Sequence, residues 1–281
     1  MSTLKNTVVS SSPPVMPVGT SAQRPTNPLN GDLRFNTSRG YPEVFYNGNW
    51  VDANTGYGTI ITTGLTCWID AYASRTDHTV SDGTMYTDLS GNGNHFYVSG
   101  TSAVRSSSFP EYVELSESNH MYCANVMNQN YITVECVFQK FGDSGEDILW
   151  NKENVWETKT DAYTISNAVY TAATGWFWYS TGATINANQS YHYAITYGGG
   201  NVYSYLNGVQ ISNYTYTAST LNQASTAATS YPKLNARNDG QTTRGNPGSH
   251  RYYHFAIYNR QLTDREISHN ASATMSRFQT T

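Results

Sequence analysis

Charged side chains are scarce in this sequence. Asp, Glu, Lys and Arg make up 13% of the 281 residues, with 20 acidic against 16 basic side chains and a formal net charge of −4. Globular domains ordinarily carry about a quarter of charged residues. So few basic side chains exclude an extensive phosphate-binding surface and a polybasic membrane anchor. We therefore expect no nucleic-acid partner.

Long apolar segments are missing as well. No run approaches the roughly 18 consecutive apolar residues that a membrane-spanning helix needs. Residues 1–17 lack the apolar stretch of a secretory signal. We expect no membrane insertion and a protein that is assembled in a reducing cytoplasm.

The chain has only three cysteines, Cys67, Cys123 and Cys136. Three cysteines cannot form a full disulfide framework, and two of them lie in apolar, strand-like runs. We predict three buried free thiols. A zinc site would need closer spacing or a matching histidine pair.

Tyrosine and small polar residues are abundant instead. Aromatic residues make up 14% of the chain, with 23 tyrosines. Ser, Thr and Asn account for about a third of it, well above ordinary usage. Tyr and Thr suit half-buried strands, whereas Asn, Ser and Gly suit turns. This composition predicts an all-β protein and excludes a helical bundle.

Three segments follow one another along the chain. Residues 1–17 are Ser- and Pro-rich and are predicted to be an extended arm. Residues 18–56 contain three short strand patterns, and Asn47-Gly48 predicts a tight hairpin between the last two. Such a small β-meander cannot bury a core alone, so we expect residues 1–53 to attach the protein to a partner or to further copies. Residues 57–281 form the main domain.

Strand and turn signals alternate at roughly 8–12-residue spacing in the main domain, which predicts a sandwich or barrel. Strands are predicted at 65–72, 131–139, 146–152, 161–166, 175–180, 191–198, 201–211 and 251–259, and Asn207-Gly208 predicts a further turn within 201–211. One short C-terminal helix is predicted, because Thr263 and Glu266 can form a capping box.

Two alternating strands carry predictions about the core. In 131–139, we expect Ile132, Val134, Cys136 and Phe138 to face inward and the residues between them to face outward. In 175–180, the same alternation places Trp176 and Trp178 on one face, which we assign to the core.

The segment DLSGNGN (88–94) places a carboxylate before a glycine-rich turn. Asp88 can accept hydrogen bonds from the amides of that turn. We favour this structural role over a calcium loop, because a single carboxylate is a poor site for a hard cation.

Several of these segments, taken in order, resemble one known family. WIDAY, DLSGNGN, YITVECVFQ, the hairpin ending in LNGVQI, and YYHFAIYNRQLTDREISHN are similar to the laminin-G-like branch of the concanavalin A-like lectin/glucanase superfamily, over residues 64–275. The resemblance implies a jelly-roll sandwich of two antiparallel sheets, with a small N-terminal meander before it. It does not specify an activity.

Residues 18–53 resemble a module found near the N-termini of bacteriophage tail-fibre and other virion surface proteins. The similarity is carried by Gly19-Thr20, Arg24-Pro25, Asn27-Pro28, Arg34-Phe35-Asn36-Thr37 and Trp50-Val51. It implies a virion structural protein on the particle surface that contacts other virion proteins through residues 1–53. We expect a homo-oligomer, with a trimer as our working assumption.

Hydrolysis is not expected. Glucanases of the superfamily carry carboxylates at alternate positions of one strand, and no such triplet occurs here. Glu157 and Asp161, four residues apart, can share a face without a third carboxylate. A glycoside hydrolase remains the less favoured alternative.

Binding sites in such folds lie on loops, where an aromatic ring stacks on a sugar and polar groups meet its hydroxyls. Candidate loops are 151–161, 179–189 and 235–251. We select the last one, because long irregular loops between strands are usually functional or disordered. The predicted ligand-binding residues are Trp156, Asn238, Asp239, Arg244 and His250, with Asp239 also a candidate calcium ligand.

Two functional hypotheses remain open. The chain is either a fibre or appendage protein whose lectin-like domain binds a host surface glycan, or a capsid or tail decoration protein without a ligand. Low charge and abundant Tyr, Ser, Asn and Gly suit both, because these residues make adaptable contacts.

Overall fold

The computed structural model describes residues 16–38, 41–46, 49–53, 60–74, 80–101, 103–106, 111–142, 145–171, 175–216, 221, 230–237 and 248–275. The chain divides into two compact units, Met1–Thr59 and Ile60–Thr281.

The first unit is a small four-stranded sheet. A 3-10 helix, Ser21–Gln23, precedes the predicted meander. The strands are β1 (Val18–Gly19), β2 (Leu33–Asn36), β3 (Tyr41–Tyr46) and β4 (Asn49–Asp52). β2, β3 and β4 pair antiparallel, as the hairpin signals predict, and β1 adds a short parallel pairing to β2.

The interior of this unit is polar. The Glu43 carboxylate is fully buried and accepts hydrogen bonds from Arg24 (3.1 and 2.6 Å) and from Asn36 (2.9 Å). Arg34 lies 3.5 Å from the same carboxylate. Among the described residues of the unit, every buried side chain is one of these polar groups. The sheet therefore has no apolar core of its own in the part that the structure describes.

In the residues that the structure describes, the second unit contains sixteen further strands and one α-helix. In chain order they are β5 (Leu65–Asp70), β6 (Met85–Tyr86), β7 (Phe96–Gly100), β8 (Val104–Arg105), β9 (Val113–Leu115), β10 (Asn119–Cys123), β11 (Ile132–Lys140), β12 (Glu146–Lys152), β13 (Trp156–Asp161), β14 (Thr164–Thr171), β15 (Gly175–Thr184), β16 (Ser190–Gly198), β17 (Asn201–Leu206), β18 (Val209–Thr215), β19 (Lys233–Leu234), β20 (His250–Tyr258) and α1 (Asp264–Met275).

These strands form two antiparallel sheets. The first has the order β15-β14-β13-β12-β19-β10-β7-β6. The second has the order β18-β17-β16-β11-β20-β9-β8, with β5 also paired to β20. The predicted all-β sandwich is confirmed, with the small N-terminal sheet before it and a single helix near its end.

One apolar cluster fills the space between the sheets. Trp150 and Phe255 meet there with ring centroids 6.2 Å apart, and Phe138 is fully buried. Ile132, Val134, Cys136 and Phe138 all belong to this cluster, so the predicted inward face of β11 is confirmed. All three cysteines are buried free thiols, as predicted.

The turn after β6 has the structural role predicted for it. The Asp88 carboxylate accepts hydrogen bonds from the amides of Trp68, Ser90 and Asn94, each at 2.9 Å, and from the Ser90 hydroxyl at 2.8 Å. Four donors occupy both oxygens of this side chain. Asp88 thus ties the turn to β5.

The outward face of β11 is also buried, which the alternation did not predict. Glu135 is fully buried, with His192 Nε2 at 3.4 Å and His254 Nε2 at 3.6 Å from its carboxylate. Asn270 of α1 donates a hydrogen bond of 2.8 Å to it, and Tyr258 donates one of 3.3 Å. The helix thereby covers this face of the sheet.

The capping box predicted at the start of α1 is confirmed. The Thr263 amide donates to the Glu266 carboxylate (2.9 Å), and the Glu266 amide donates to the Thr263 hydroxyl (3.4 Å). Within the described residues, no helix is long and apolar enough to cross a membrane.

Three predictions about strands and loops are wrong. The predicted strand 161–166 spans a turn at Ala162, where φ is +50°, between β13 and β14. The predicted loops 151–161 and 179–189 are largely strand, in β12, β13 and β15. The turns between β12 and β13 and between β13 and β14 contain no Asn-Gly pair. The sequence pattern therefore misplaces the ends of these strands.

Candidate functional site

The predicted ligand-binding residues do not form a surface in the described part of the chain. Asn238, Asp239 and Arg244 lie outside the described residues. Trp156 is 2% exposed and belongs to the core, so its ring is not available for stacking. Among the described residues, no group of three His, Cys, Asp or Glu side chains could hold a metal ion. The calcium hypothesis for Asp239 stays a prediction.

His250 is buried as well. Its ring is fully shielded from solvent, and Nδ1 lies 2.9 Å from the Asn235 amide oxygen. Burial, and then the nearby Lys140 ammonium, lower the pKa of His250 to about 3. The imidazole is neutral, contacts Asn235 and is too deeply buried to contact a ligand.

An exposed aromatic surface lies elsewhere, on the outer face of the first large sheet. Trp176 and Trp178 share one face of β15, as predicted, but they point away from the core. Trp178 is 38% exposed, and its ring stacks beside that of Trp176 at 6.2 Å between centroids. The alternate residues Phe177 and Tyr179 pack against the core instead. The assignment of the two tryptophans to the core is therefore wrong.

Trp178 borders a depression of about 180 Å³. The register across the sheet places Trp178 opposite Ala168 and Ala168 opposite Glu157, so three strands contribute to the same outer face. The residues that line the depression are Lys159, Asp161, Ser166, Trp178, Tyr179 and Ser180. We call the depression with the neighbouring Trp176, Glu146, Glu157 and Arg237 the Trp178 surface.

Two cations lie over the Trp178 ring. Lys159 Nζ is 4.6 Å and Arg237 Cζ is 5.9 Å from the ring centroid. A cation over an indole face is attracted by the electron density of the ring. These contacts hold the indole in place, and Arg237 connects this surface to the start of the loop at 235–251.

Carboxylates neutralise both cations. Glu146 forms ion pairs with Lys159 and, at 2.9 Å, with Arg237 Nη2. Glu157, which is 2% exposed, accepts hydrogen bonds from Nε and Nη2 of Arg237 and from Asn151 Nδ2 (2.7 Å). Burial raises the pKa of Glu157 to about 7, although Arg237 and Asn151 act in the opposite direction. The network fixes the guanidinium in one orientation.

The arrangement suits a ligand with an apolar face and several hydroxyl groups. The indole supplies an apolar wall, Lys159 is a hydrogen-bond donor, and Asp161 is an acceptor. Ser166 and Ser180 can act as both. The alternation of GWFWYS pairs the tryptophans correctly, but nothing in the sequence reveals which sheet face meets the core.

A larger depression, of about 500 Å³, lies at the start of α1. Tyr205 lines it but is 2% exposed, and its hydroxyl donates a 2.8 Å hydrogen bond to Asp264. Tyr203 is partly buried, so no ring there is as exposed as Trp178. The Trp178 surface is the better candidate for stacking against a ligand.

Solved structures with a similar fold include toxin binding domains. The binding domain of Botulinum Neurotoxin DC in complex with SialylT has a TM-score of 0.58 and 12% identity, covering 76% of this chain and 52% of that one. The binding domain of Paraclostridial Mosquitocidal Protein 1 has a TM-score of 0.54 and 15% identity, covering 74% and 51%. The botulinum neurotoxin type C structure, whose title refers to cell entry through two ganglioside molecules, has a TM-score of 0.57 and 11% identity, covering 78% and 52%.

These likenesses concern the fold, since the identities are low, and the chain spans about half the length of each of these structures. No curated protein matches the sequence. A laminin-G-type family model matches residues 125–268, just over half of the chain, which includes β11 to β20 and the start of α1. The chain therefore belongs to the concanavalin A-like lectin/glucanases superfamily.

Proposed function

We propose that the second unit binds glycan through the Trp178 surface. The observation that carries this proposal is an indole 38% exposed beside a depression lined by an ammonium, a carboxylate and two hydroxyls. An apolar sugar face can pack on the indole while the polar groups meet its hydroxyls. Membership of a lectin-containing superfamily supports the proposal, as do neighbours whose titles name SialylT and gangliosides.

The surface fits binding better than hydrolysis. A glycosidase needs one carboxyl group with a raised pKa next to its substrate and a second carboxylate near it. Glu157 has a raised pKa, but it lies buried beneath Arg237. Glu146 is held in ion pairs with Lys159 and Arg237. We therefore favour a non-enzymatic binding protein over a glycoside hydrolase as the function of this unit.

The loop at 235–251 is proposed to extend this site. Arg237 stands at its start and contacts the Trp178 ring, so Asn238 and Asp239 follow directly after a residue of the site, and Arg244 follows seven residues after it. Trp156 and His250 hold the surrounding strands and are not proposed to touch the ligand.

Replacing Trp178 tests the glycan proposal. We expect Trp178→Ala to weaken binding to a glycan array hit at least tenfold, because a central aromatic contact is typically worth about 2 kcal/mol or more. Isothermal titration with the purified hit measures the change. Tyr131→Ala, which removes a ring 46% exposed outside this surface, is the matched control. Equal affinity of the Trp178→Ala protein and the wild type would refute the assigned site.

We further propose that the protein is a structural component of a bacteriophage virion, displayed on the particle surface. The resemblance of residues 18–53 to a virion module supports this proposal. The polar interior of the first unit also supports it, because a sheet without an apolar core needs a partner for stability. Other virion proteins and further copies of the chain are the proposed partners. A decoration protein without a ligand is the alternative.

Deletion of residues 1–53 tests the role of the first unit. If that unit carries the self-association, we expect a folded, monomeric protein of residues 54–281, because the second unit has its own apolar core. Light scattering with the full chain as reference measures the change. A truncated protein that keeps the full-length oligomeric state would show that the association lies elsewhere.

A further inference from the structure

Charge is distributed unevenly around the depression beside Trp178. Lys159 and Arg237 are both paired with carboxylates. Asp161 is exposed, and its carboxylate makes no hydrogen bond or ion pair with any residue in the described part of the chain. Among the described side chains that line the depression, the charge without a counter-charge is therefore negative.

The position of Asp161 is unfavourable for folding alone. It lies directly across from Glu146 in the antiparallel pairing of β12 and β13. Like charges directly opposite each other destabilise such a pair. Local choices that oppose the fold without a compensating contact are typical of functional positions. The Asp161 carboxylate therefore contributes no contact to the fold and is available to bind a ligand.

A carboxylate in this place favours hydroxyl donors. Its two oxygens can accept hydrogen bonds from two adjacent hydroxyl groups of one sugar, while Ser166 and Ser180 line the same depression. An acidic sugar would bring a second anion against Asp161. Lys159 and Arg237 already bind carboxylates, which offset the attraction that these cations would exert on a second anion.

We infer that the Trp178 surface selects uncharged sugars with adjacent hydroxyl groups and rejects sugars that carry a carboxylate. This inference rests on the proposed glycan binding. It distinguishes the proposed ligand of this chain from the SialylT bound by the botulinum neurotoxin DC binding domain. Discrimination arises here through repulsion of the wrong ligand as well as attraction of the right one.

Paired probes test the inference. Lactose and 3′-sialyllactose, and glucose and glucuronate oligosaccharides, are measured against the full chain by titration at low and at physiological salt. We expect the neutral member of a bound pair to bind at least tenfold more tightly than its acidic counterpart. The difference shrinks as salt increases, because salt screens exposed charges.

Asp161→Asn is the informative variant, since it removes the charge and keeps a similar shape. We expect it to reduce the ratio of the affinities for the neutral and the acidic probe at least threefold. Glu117→Gln, which neutralises an exposed carboxylate between β9 and β10, should leave the ratio unchanged. Thermal melts of all variants report whether each is folded.

The failures of the two proposals are distinguishable. Trp178-dependent binding of the acidic probe that equals or exceeds binding of the neutral one overturns the inference and leaves the glycan site in place. An unchanged ratio in Asp161→Asn also overturns it. Binding that Trp178→Ala leaves intact, or the absence of binding to any probe, overturns the proposed function and the inference with it.

Discussion

Phe138→Ala is expected to lower the free energy of unfolding by about 3–5 kcal/mol, because truncating a buried phenylalanine removes apolar contacts and leaves a cavity. The ring is fully buried between the sheets. It meets Tyr191 at 6.4 Å and His250 at 6.0 Å between centroids. Urea denaturation of the two proteins measures the difference.

A surface substitution provides the comparison. Val209 is 66% exposed, so Val209→Ala should change the free energy of unfolding by no more than about 0.5 kcal/mol. If Phe138→Ala were as mild as Val209→Ala, the inward face of β11 would be misassigned.

Glu135→Ala is expected to cost a similar amount, about 3–5 kcal/mol, because it breaks a buried charged cluster by removing one partner. His192, His254, Asn270 and Tyr258 all converge on this carboxylate. The loss should appear both in the denaturation midpoint and in faster hydrogen exchange of α1, since Asn270 anchors the helix there. Glu135→Gln retains an acceptor for Asn270 and should cost less.

The same carboxylate gives stability a pH dependence with a definite sign. Burial alone would raise the pKa of Glu135, but the adjacent His192 and His254 lower it to about 2. A lowered folded-state pKa means that the ionised form stabilises the fold above the ordinary value of 4.5. That contribution is lost as the pH falls from about 4.5 towards 2. Wild type that loses no more stability than Glu135→Gln over this range would contradict the assignment.

The Trp178 surface shows which features of a strand its sequence predicts and which it does not. Alternation in GWFWYS correctly places Trp176 and Trp178 on one face of β15, and the spacing of Glu157 and Asp161 correctly predicts that they share one face of β13. Both inferences follow from the twofold repeat of a strand. Which of the two faces meets the core depends on the sheet packed against it, and no local pattern encodes that sheet.

The hairpin joining β13 to β14 shows a second limit. Its turn includes Ala162 with a φ of +50°. Neither Asn-Gly nor another strong turn pair marks this position. The predicted strand 161–166 therefore includes the turn and the first residues of β14. Asn207-Gly208 has the expected pair, and there the hairpin between β17 and β18 lies where it was predicted.

By itself, the sequence determined the all-β sandwich, the inward face of β11, the turn bound to Asp88, the buried thiols and the capping box of α1. Each depends on local alternation, composition or a few residues of contiguous chain. Only the tertiary structure decided that Glu135 is buried beneath α1, that the tryptophans of β15 face outward, and that Arg237 and Glu146 meet beside them. These features depend on which distant strands and helix pack together, because burial and charge pairing are properties of neighbours in space.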